Sequence, residues 1–209
     1  YKNVESKLMV GNGIAANLRN MNDFRKWRSR NYAEPSPRVI KRTCLRRNSL
    51  TGATWVETGT FRGDTTAFLA ESSKFVYSIE PEPALVTRAK ERFKSTPNVK
   101  IIEGVSETIF PILLPTLTED INFWLDGHYS AGTTFKGPTE TPIVEELESI
   151  QTCLKNFHRV SVLIDDVRCF HSQAKENEAY PSLDFLVSWS MENRFHWIIE
   201  HDIFIARNY

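Results

Sequence analysis

Three aspartates stand directly after two apolar stretches that the sequence predicts to be strands. Asp126 follows the stretch 121–125, and the pair Asp165 and Asp166 follows the stretch 160–164. If these strands are parallel neighbours, their carboxyl ends meet at one edge of the sheet and the three carboxylates converge. Three ionised carboxylates repel one another strongly, so their convergence requires a cation. Oxygen ligands select magnesium, manganese or calcium, and we predict a divalent metal bound by Asp126, Asp165 and Asp166.

A glycine turn follows the first apolar stretch of the chain. The segment 54–66 reads T-W-V-E-T-G-T-F-R-G-D-T-T, and an amphipathic segment, 65–71, continues it. This order predicts a strand, a tight turn and a helix, the unit that holds a nucleotide-type cofactor in doubly wound α/β domains. A dinucleotide-binding turn needs a glycine where this sequence has Phe61, and a phosphate-binding loop needs a lysine that this segment lacks.

The turn resembles motif I of the class I S-adenosylmethionine (SAM) methyltransferases, in which an acidic residue precedes two spaced glycines. SAM has no phosphate but carries an amine and a sulfonium, which suit the acidic Glu57. Glu80 ends the second predicted strand, where an acidic residue accepts both ribose hydroxyls. Ser106 follows the third strand and either borders the adenine or caps a helix. The resemblance therefore implies a SAM site formed by Glu57, Thr58, Gly59, Gly63, Glu80 and Ser106.

Strands and helices alternate along the chain after this turn. The first predicted strand begins at Thr54, and the others are 75–79, 99–103, 121–125, 160–164, 196–200 and 203–207. The predicted helices between them are 65–71, 83–93, 106–114, 142–155 and 182–191. Such alternation predicts a doubly wound, mostly parallel sheet with helices on both faces and an antiparallel final pair. It resembles the seven-stranded, Rossmann-like methyltransferase sheet, in which the strand order begins 3-2-1-4-5.

The chain is predicted to be one methyltransferase domain over 37–209, preceded by a segment, 1–36, that covers part of the substrate and cofactor site. Within that segment 23–27 reads as a short helix, which the prolines at 35 and 37 end. A helix beginning at Pro37 carries apolar residues at helical spacing. It either packs on the sheet and walls the cofactor pocket or has a packing role alone.

Composition narrows the class of partner. The 209 residues contain 26 Lys plus Arg and 26 Asp plus Glu, so the net charge is zero. A nucleic-acid-binding domain would show a basic excess, and we therefore expect a small-molecule substrate. The 3 cysteines are scattered, which favours a reducing compartment. No apolar run reaches membrane-spanning length, and the expected location is cytoplasmic.

The acidic strand ends sharpen the family resemblance. The stretches 57–60, E-T-G-T, and 125–128, L-D-G-H, are similar to those of the macrocin-type sugar O-methyltransferases, which depend on a metal. Those enzymes place a carboxylate base two residues after the first metal aspartate, and this sequence has His128 there. The implied mechanism uses magnesium to lower the pKa of a sugar hydroxyl, while His128 takes its proton and Asp126 holds the metal. The oxygen then attacks the SAM methyl group in line.

Four alternatives fit parts of the same pattern. A catechol-type O-methyltransferase shares the metal ligands. A metal-independent SAM methyltransferase would use Asp165 and Asp166 only as a helix-capping turn. A nicotinamide oxidoreductase would use Glu80 for the ribose, although Phe61 occupies its second glycine position. A non-catalytic binding module would keep the pocket but leave the aspartates without a compensating charge.

Overall fold

The computed structural model describes residues 14–126, 141–170 and 180–209. Its seven strands are β1 (Thr54–Thr58), β2 (Phe75–Glu80), β3 (Val99–Glu103), β4 (Ile121–Leu125), β5 (Val160–Ile164), β6 (His196–Glu200) and β7 (Ile203–Arg207). They form one sheet in the order β3-β2-β1-β4-β5-β7-β6. The first five are parallel, and β7 pairs antiparallel with both β5 and β6. The predicted strand order and the antiparallel final pair are confirmed.

Seven α-helices lie in the described residues. They are α1 (Ile14–Ser29), α2 (Arg38–Asn48), α3 (Asp64–Ala70), α4 (Pro83–Phe93), α5 (Ser106–Leu113), α6 (Ile143–Cys153) and α7 (Leu183–Glu192). Five of them match the predicted helices that follow the turn to within about two residues, the usual uncertainty of a helix end. The short helix predicted at 23–27 is instead the last part of the longer α1. None of the described helices is both long and apolar enough to cross a membrane.

Alternating side chains of the buried strands separate the core into two layers. On one face, residues such as Val56 and Phe123 pack with α5, α6 and α7. On the other face, their neighbours Trp55 and Trp124 pack with α2 and α3. Because successive strand residues point to opposite faces, these continuous apolar runs bury the sheet on both sides. The protein is therefore a three-layer α/β domain.

The N-terminal helices pack on each other and on the sheet. Phe24 and Trp27 of α1 form a small buried cluster with Ile40 of α2. The Trp27 ring also lies edge-on to His201, with 5.8 Å between ring centroids. On its other side α2 buries Cys44 and Leu45 against the strands. This helix thus packs on the sheet, which both predicted roles require.

The strand register aligns the carboxyl ends at one edge of the sheet. Thr58 pairs with Leu125, and Leu125 pairs with Ile164, so the next residues of β4 and β5 emerge side by side. The backbone N–H of Gly59 bonds to the carbonyl of Ile79, which holds the turn after β1 beside the end of β2. The predicted cofactor turn and the acidic strand ends therefore lie at the same edge.

Candidate active site

Glu57 is completely buried near the end of β1 and is held through one of its two carboxylate oxygens. Its Oε2 accepts hydrogen bonds from Thr66 of α3 at 2.5 Å and from Ser78 of β2 at 2.6 Å. Ser78 is within 2.6 Å of the hydroxyl of Thr60, so the donors are themselves connected. The other oxygen, Oε1, is buried and has no hydrogen-bond partner among the described residues.

Burial controls the charge of Glu57. Removal from water raises the pKa of its carboxyl to about 7, and the negative charge of Glu80 adds to the shift. The hydroxyls of Ser78 and Thr66 lower the pKa but do not cancel the effect of burial. A buried acid with an unpartnered oxygen is suited to receive a positively charged donor, since such a donor would both pair with that oxygen and stabilise the ionised form.

The glycine turn is closed by Glu80. Its Oε2 accepts from the backbone N–H of Phe61 at 2.7 Å, and its Oε1 accepts from the N–H of Glu82 at 3.0 Å. Phe61 adopts a left-handed backbone with φ of 48°, and the residue is 43% exposed. A phenyl ring at this position differs from the glycine that lets a dinucleotide-binding turn approach pyrophosphate. Each Glu80 oxygen keeps acceptor capacity for a ribose hydroxyl.

Gly63 is required by packing as well as by the turn. Its φ is 74°, and a Cβ built there would lie 2.7 Å from Cε2 of Phe93 on α4. The sequence resemblance assigned Gly63 to the cofactor. The Phe93 ring is sufficient to explain glycine at this position, whereas Gly59, with φ of 85°, faces the β2 end of the turn.

The side chain of Thr58 points to the opposite face of β1 from Glu57 and links several strand ends. Its hydroxyl accepts the backbone N–H of Asp126 at 3.3 Å. Thr58 and Ser106 also hydrogen bond to Glu146 of α6, a buried carboxyl whose pKa burial raises to about 7. One oxygen of Glu146, Oε1, is buried with no partner in the described parts of the chain. The predicted cofactor residues Thr58 and Ser106 are therefore tied to an acid that sequence reasoning missed.

The aspartates at the end of β5 meet a lysine. The Lys41 ammonium of α2 lies 2.6 and 2.7 Å from the two oxygens of Asp165 and 3.2 Å from Oδ1 of Asp166. Burial lowers the pKa of Lys41, but the charges of Asp165, Asp166 and Asp126 outweigh it and raise the pKa overall. Asp165 and Asp166 thus share one cation, and Asp126 lies near enough for its charge to act on that ammonium.

A second cation stabilises the same corner. Arg168 donates to Oδ1 of Asp166 at 2.7 Å and also contacts Asp202, a buried aspartate beside the β6–β7 turn. The backbone N–H of Arg168 bonds to Asp202 Oδ1 at 2.9 Å. Asp166 has a left-handed backbone with φ of 56°, a conformation that aspartate tolerates better than most residues. These contacts hold its carboxylate in place.

The arrangement does not fit the predicted divalent metal. Among the described residues, no group of three or more His, Cys, Asp or Glu side chains is arranged to hold a metal ion. Lys41 contacts both oxygens of Asp165. A metal bound there would face an adjacent positive charge. Metal binding by Asp126, Asp165 and Asp166 remains a sequence prediction, and the predicted base His128 lies outside the described residues.

Known structures share this architecture. A protein described as a caffeoyl-CoA O-methyltransferase from Staphylococcus aureus matches with a TM-score of 0.55 and 15% identity, covering 88% of this chain and 88% of that chain. A protein described as a methyltransferase from Streptococcus mutans, in complex with S-adenosylhomocysteine (SAH), matches with a TM-score of 0.50 and 16% identity, covering 84% and 98%. The N-methyltransferase NodS from Bradyrhizobium japonicum matches with a TM-score of 0.50 and 15% identity, covering 80% and 92%. No family model and no curated protein matches the sequence.

This chain has the class I methyltransferase fold. The predicted fold, a single α/β domain with a mostly parallel seven-stranded sheet, is therefore confirmed. Sequence identities this low establish the fold alone. The matching proteins include some that are described as acting on different acceptor atoms. The function of this methyltransferase-fold protein therefore depends on the residues at its strand ends.

Several site residues were not predicted from the sequence, although the sequence pattern around them indicated buried polar groups. Glu146 is one turn from Ile143 and Ile150 and therefore falls on the apolar face of α6. Ser78 interrupts an apolar strand, and Lys41 follows the apolar pair 39–40 at the start of α2. A polar residue on a buried face needs a partner, so each of these marked a polar contact. Their partners come from distant parts of the chain and could not be identified from sequence.

A depression of about 460 Å³ lies at the N-terminal side of the domain. It is bounded by α1 and by the segment that leads into α2, and its lining is Asp23, Lys26, Ser29, Arg30, Pro35, Pro37 and Arg38. None of the predicted cofactor or metal residues lines it. The role of the segment 1–36 as a cover of the active site stays a prediction.

Proposed function

We propose that this protein is a SAM-dependent methyltransferase that transfers a methyl group to a hydroxyl of a small molecule. The unpartnered, buried oxygen of Glu57 is the observation that carries the proposal. It lies at the carboxyl edge of a methyltransferase-type sheet, beside the glycine turn, where the family resemblance expects the methionine amine of SAM. An ammonium donor would satisfy Oε1 and stabilise the ionised carboxyl.

The remaining residues of the turn have complementary roles. The backbone N–H groups of Phe61 and Glu82 hold the carboxylate of Glu80 in place. Its remaining lone pairs accept hydrogen bonds from the ribose hydroxyls. Thr58 and Gly59 set the path of the backbone between Glu57 and the sheet edge. Ser106 begins α5 and contacts Glu146. Its proposed role, taken from the sequence resemblance, is to border the adenine.

In the proposed reaction the bound SAM supplies a methyl group on a sulfonium, which makes that carbon electrophilic. The acceptor oxygen forms the new C–O bond while the C–S bond breaks, and the hydroxyl proton leaves to a base. The sequence prediction assigns that base to His128. Asp126 follows β4 beside the turn, where it would orient the acceptor.

Oxygen as the acceptor atom rests on the sequence resemblance, and a protein described as an O-methyltransferase shares the fold. A sugar or glycosylated metabolite as substrate rests on the sequence resemblance to the macrocin-type enzymes. The same resemblance implies a divalent metal. Because the Lys41 ammonium forms ion pairs with Asp165 and Asp166, no step of the proposed reaction is assigned to a metal.

Calorimetric titration of SAM and SAH into the purified protein tests the proposal. We expect saturable binding of both ligands, and binding weaker by about tenfold or more in Glu57→Gln, because the neutral amide loses a charge-assisted hydrogen bond. Glu103→Gln is the matched control, since Glu103 ends β3, which β2 separates from β1, and is exposed. It should bind SAM like the wild type.

Methyl transfer is then measured with radiolabelled SAM and a panel of sugars, catechols and amines. Transfer to hydroxylated compounds would support O-methylation, and transfer to amines alone would replace the acceptor assignment while keeping the methyltransferase. Absence of SAM and SAH binding by a folded wild-type protein would refute the proposed function.

A further inference from the structure

Lys41 uses its entire donor capacity on the acidic pair at the end of β5. An ammonium has three N–H donors, and three aspartate oxygens lie within hydrogen-bond distance of it, at 2.6, 2.7 and 3.2 Å. Only 16% of the Lys41 side chain is exposed, and 6% and 11% of the side chains of Asp165 and Asp166. This is an enclosed ion cluster, unlike the exposed pairs on the surface of the protein.

The position of the cluster connects it with the acceptor side of the site. Asp165 is the first residue after β5, and its backbone N–H donates to the carbonyl of Leu125 at the end of β4. Asp126, the next residue, adds its negative charge to those that act on Lys41. The ammonium therefore contacts two of the three carboxylates that the sequence assigned to a metal and is acted on by the charge of the third.

The surroundings hold the ammonium in this place. Lys41 belongs to α2, whose buried face is packed on the sheet by Cys44 and Leu45. Arg168 contacts Asp166 from another side and is itself fixed by Asp202. A buried ion pair of this kind is costly to break, because removing one partner leaves the other charge buried and uncompensated.

We propose that Lys41 is the resident cation of this pocket and excludes a divalent metal, so that methyl transfer proceeds without one. The part about methyl transfer rests on the proposed function, but the exclusion of metal does not. Lys41 acts as a positioning residue: by neutralising Asp165 and Asp166 it keeps their carboxylates together at the sheet edge where the acceptor binds.

The test is a calorimetric titration of Mg²⁺, Mn²⁺ and Ca²⁺ into the metal-free, full-length protein. The wild type should show no saturable binding. Lys41→Ala should bind at least one of these ions saturably, with an affinity at least about tenfold above the upper limit that the titration sets for the wild type, because a positive charge in contact with the carboxylates is removed. Asp165→Asn in the Lys41→Ala background should abolish that binding.

Two further variants separate this role from a structural one. Lys41→Met retains an apolar stem without the charge and should gain metal affinity even if Lys41→Ala unfolds. Lys90→Ala removes an exposed lysine that pairs with Glu103 at 3.8 Å, and this variant should remain without metal. Because a purely structural salt bridge would only lose stability on mutation, the gain of metal binding is the distinguishing result.

Either of two results would overturn the inference. One is saturable metal binding by the wild type that Asp165→Asn abolishes, since the metal would then displace Lys41. The other is a folded Lys41→Met protein that binds no metal. SAM binding is measured on the same samples, so failure of the methyltransferase proposal is recognised separately. Where methyl transfer is detected, a chelator should leave its rate unchanged.

Discussion

Ser78 lies directly opposite Glu57 in the parallel register of β1 and β2, and its hydroxyl donates to the Glu57 carboxylate at 2.6 Å. A strand neighbour thus supplies the donor for a fully buried acid at the cofactor turn. Thr66 supplies the second donor from α3. Because both donors are bound to the same oxygen, the other oxygen is left for a ligand. The geometry of this pair prepares one side of the site before any ligand is present.

Replacing Ser78 with alanine should weaken both the fold and the site. The variant leaves Glu57 with one donor, so we expect a loss of about 1–3 kcal/mol in the free energy of unfolding and weaker SAM binding. Urea denaturation and calorimetry measure the two effects. Ser190→Ala is the control, because Ser190 is equally buried but its hydroxyl bonds to Leu186 within α7. Unchanged SAM affinity in Ser78→Ala would contradict the role given to this contact.

Glu57 and Glu80 should be distinguishable by ligand fragments. Adenosine has the ribose of SAH but lacks the amino-acid part. We therefore expect Glu80→Gln to weaken binding of both adenosine and SAH, and Glu57→Gln to weaken only SAH, each by about tenfold or more. Competition against labelled SAH measures both affinities. Equal losses for both ligands in both variants would mean that the carboxylates act by shaping the turn instead.

Two glycines with the same φ allow the cost of backbone strain to be distinguished from the cost of a side-chain clash. Gly52 and Gly63 both have φ of 74°, but a Cβ at Gly52 meets nothing within 4 Å, whereas one at Gly63 meets Phe93. Gly52→Ala should cost only the left-handed backbone strain, about 1 kcal/mol. Gly63→Ala should cost about 1–3 kcal/mol more because of the clash. Denaturant unfolding of the two variants gives the difference, and equal costs would exclude the packing explanation.

The buried acid Glu146 should make stability depend on pH. Its pKa is about 7 in the folded protein against an ordinary value of 4.5. Between these values the unfolded chain has lost the proton that the folded state still binds, so stability falls as pH rises. A shift of this size corresponds to about 3 kcal/mol that is present at low pH and lost above about pH 7.

Glu146→Gln should remove that part of the pH dependence. Free energies of unfolding at about pH 5 and about pH 8 should differ less in the variant than in the wild type, because an amide does not titrate over this range. Glu57 makes a similar contribution and remains in the variant, so some dependence persists. The exposed Glu103 provides the control substitution, Glu103→Gln. A variant profile identical to the wild type would show that Glu146 is not the titrating group.

The sequence by itself determined the sheet and the edge at which its polar residues lie. Apolar runs bounded by glycine and proline are local signals, and they located all seven strands and the helices that follow the turn. Alternation of strands and helices then restricts the topology, since parallel neighbours need crossover helices on the faces. The position of Glu57, Glu80 and the three aspartates at strand ends followed directly.

Only the tertiary structure decided which groups meet there. Sequence reasoning required a cation for the acidic cluster and assigned it to a metal, because carboxylates at strand ends can be counted along the chain. Lys41, which contacts Asp165 and Asp166, is 124 residues from Asp165 in sequence. Its position beside the aspartates depends on how α2 packs on the sheet. The same holds for Glu146 and Ser78, whose partners lie on other elements. Contacts between distant segments are set by packing, and no local pattern encodes them.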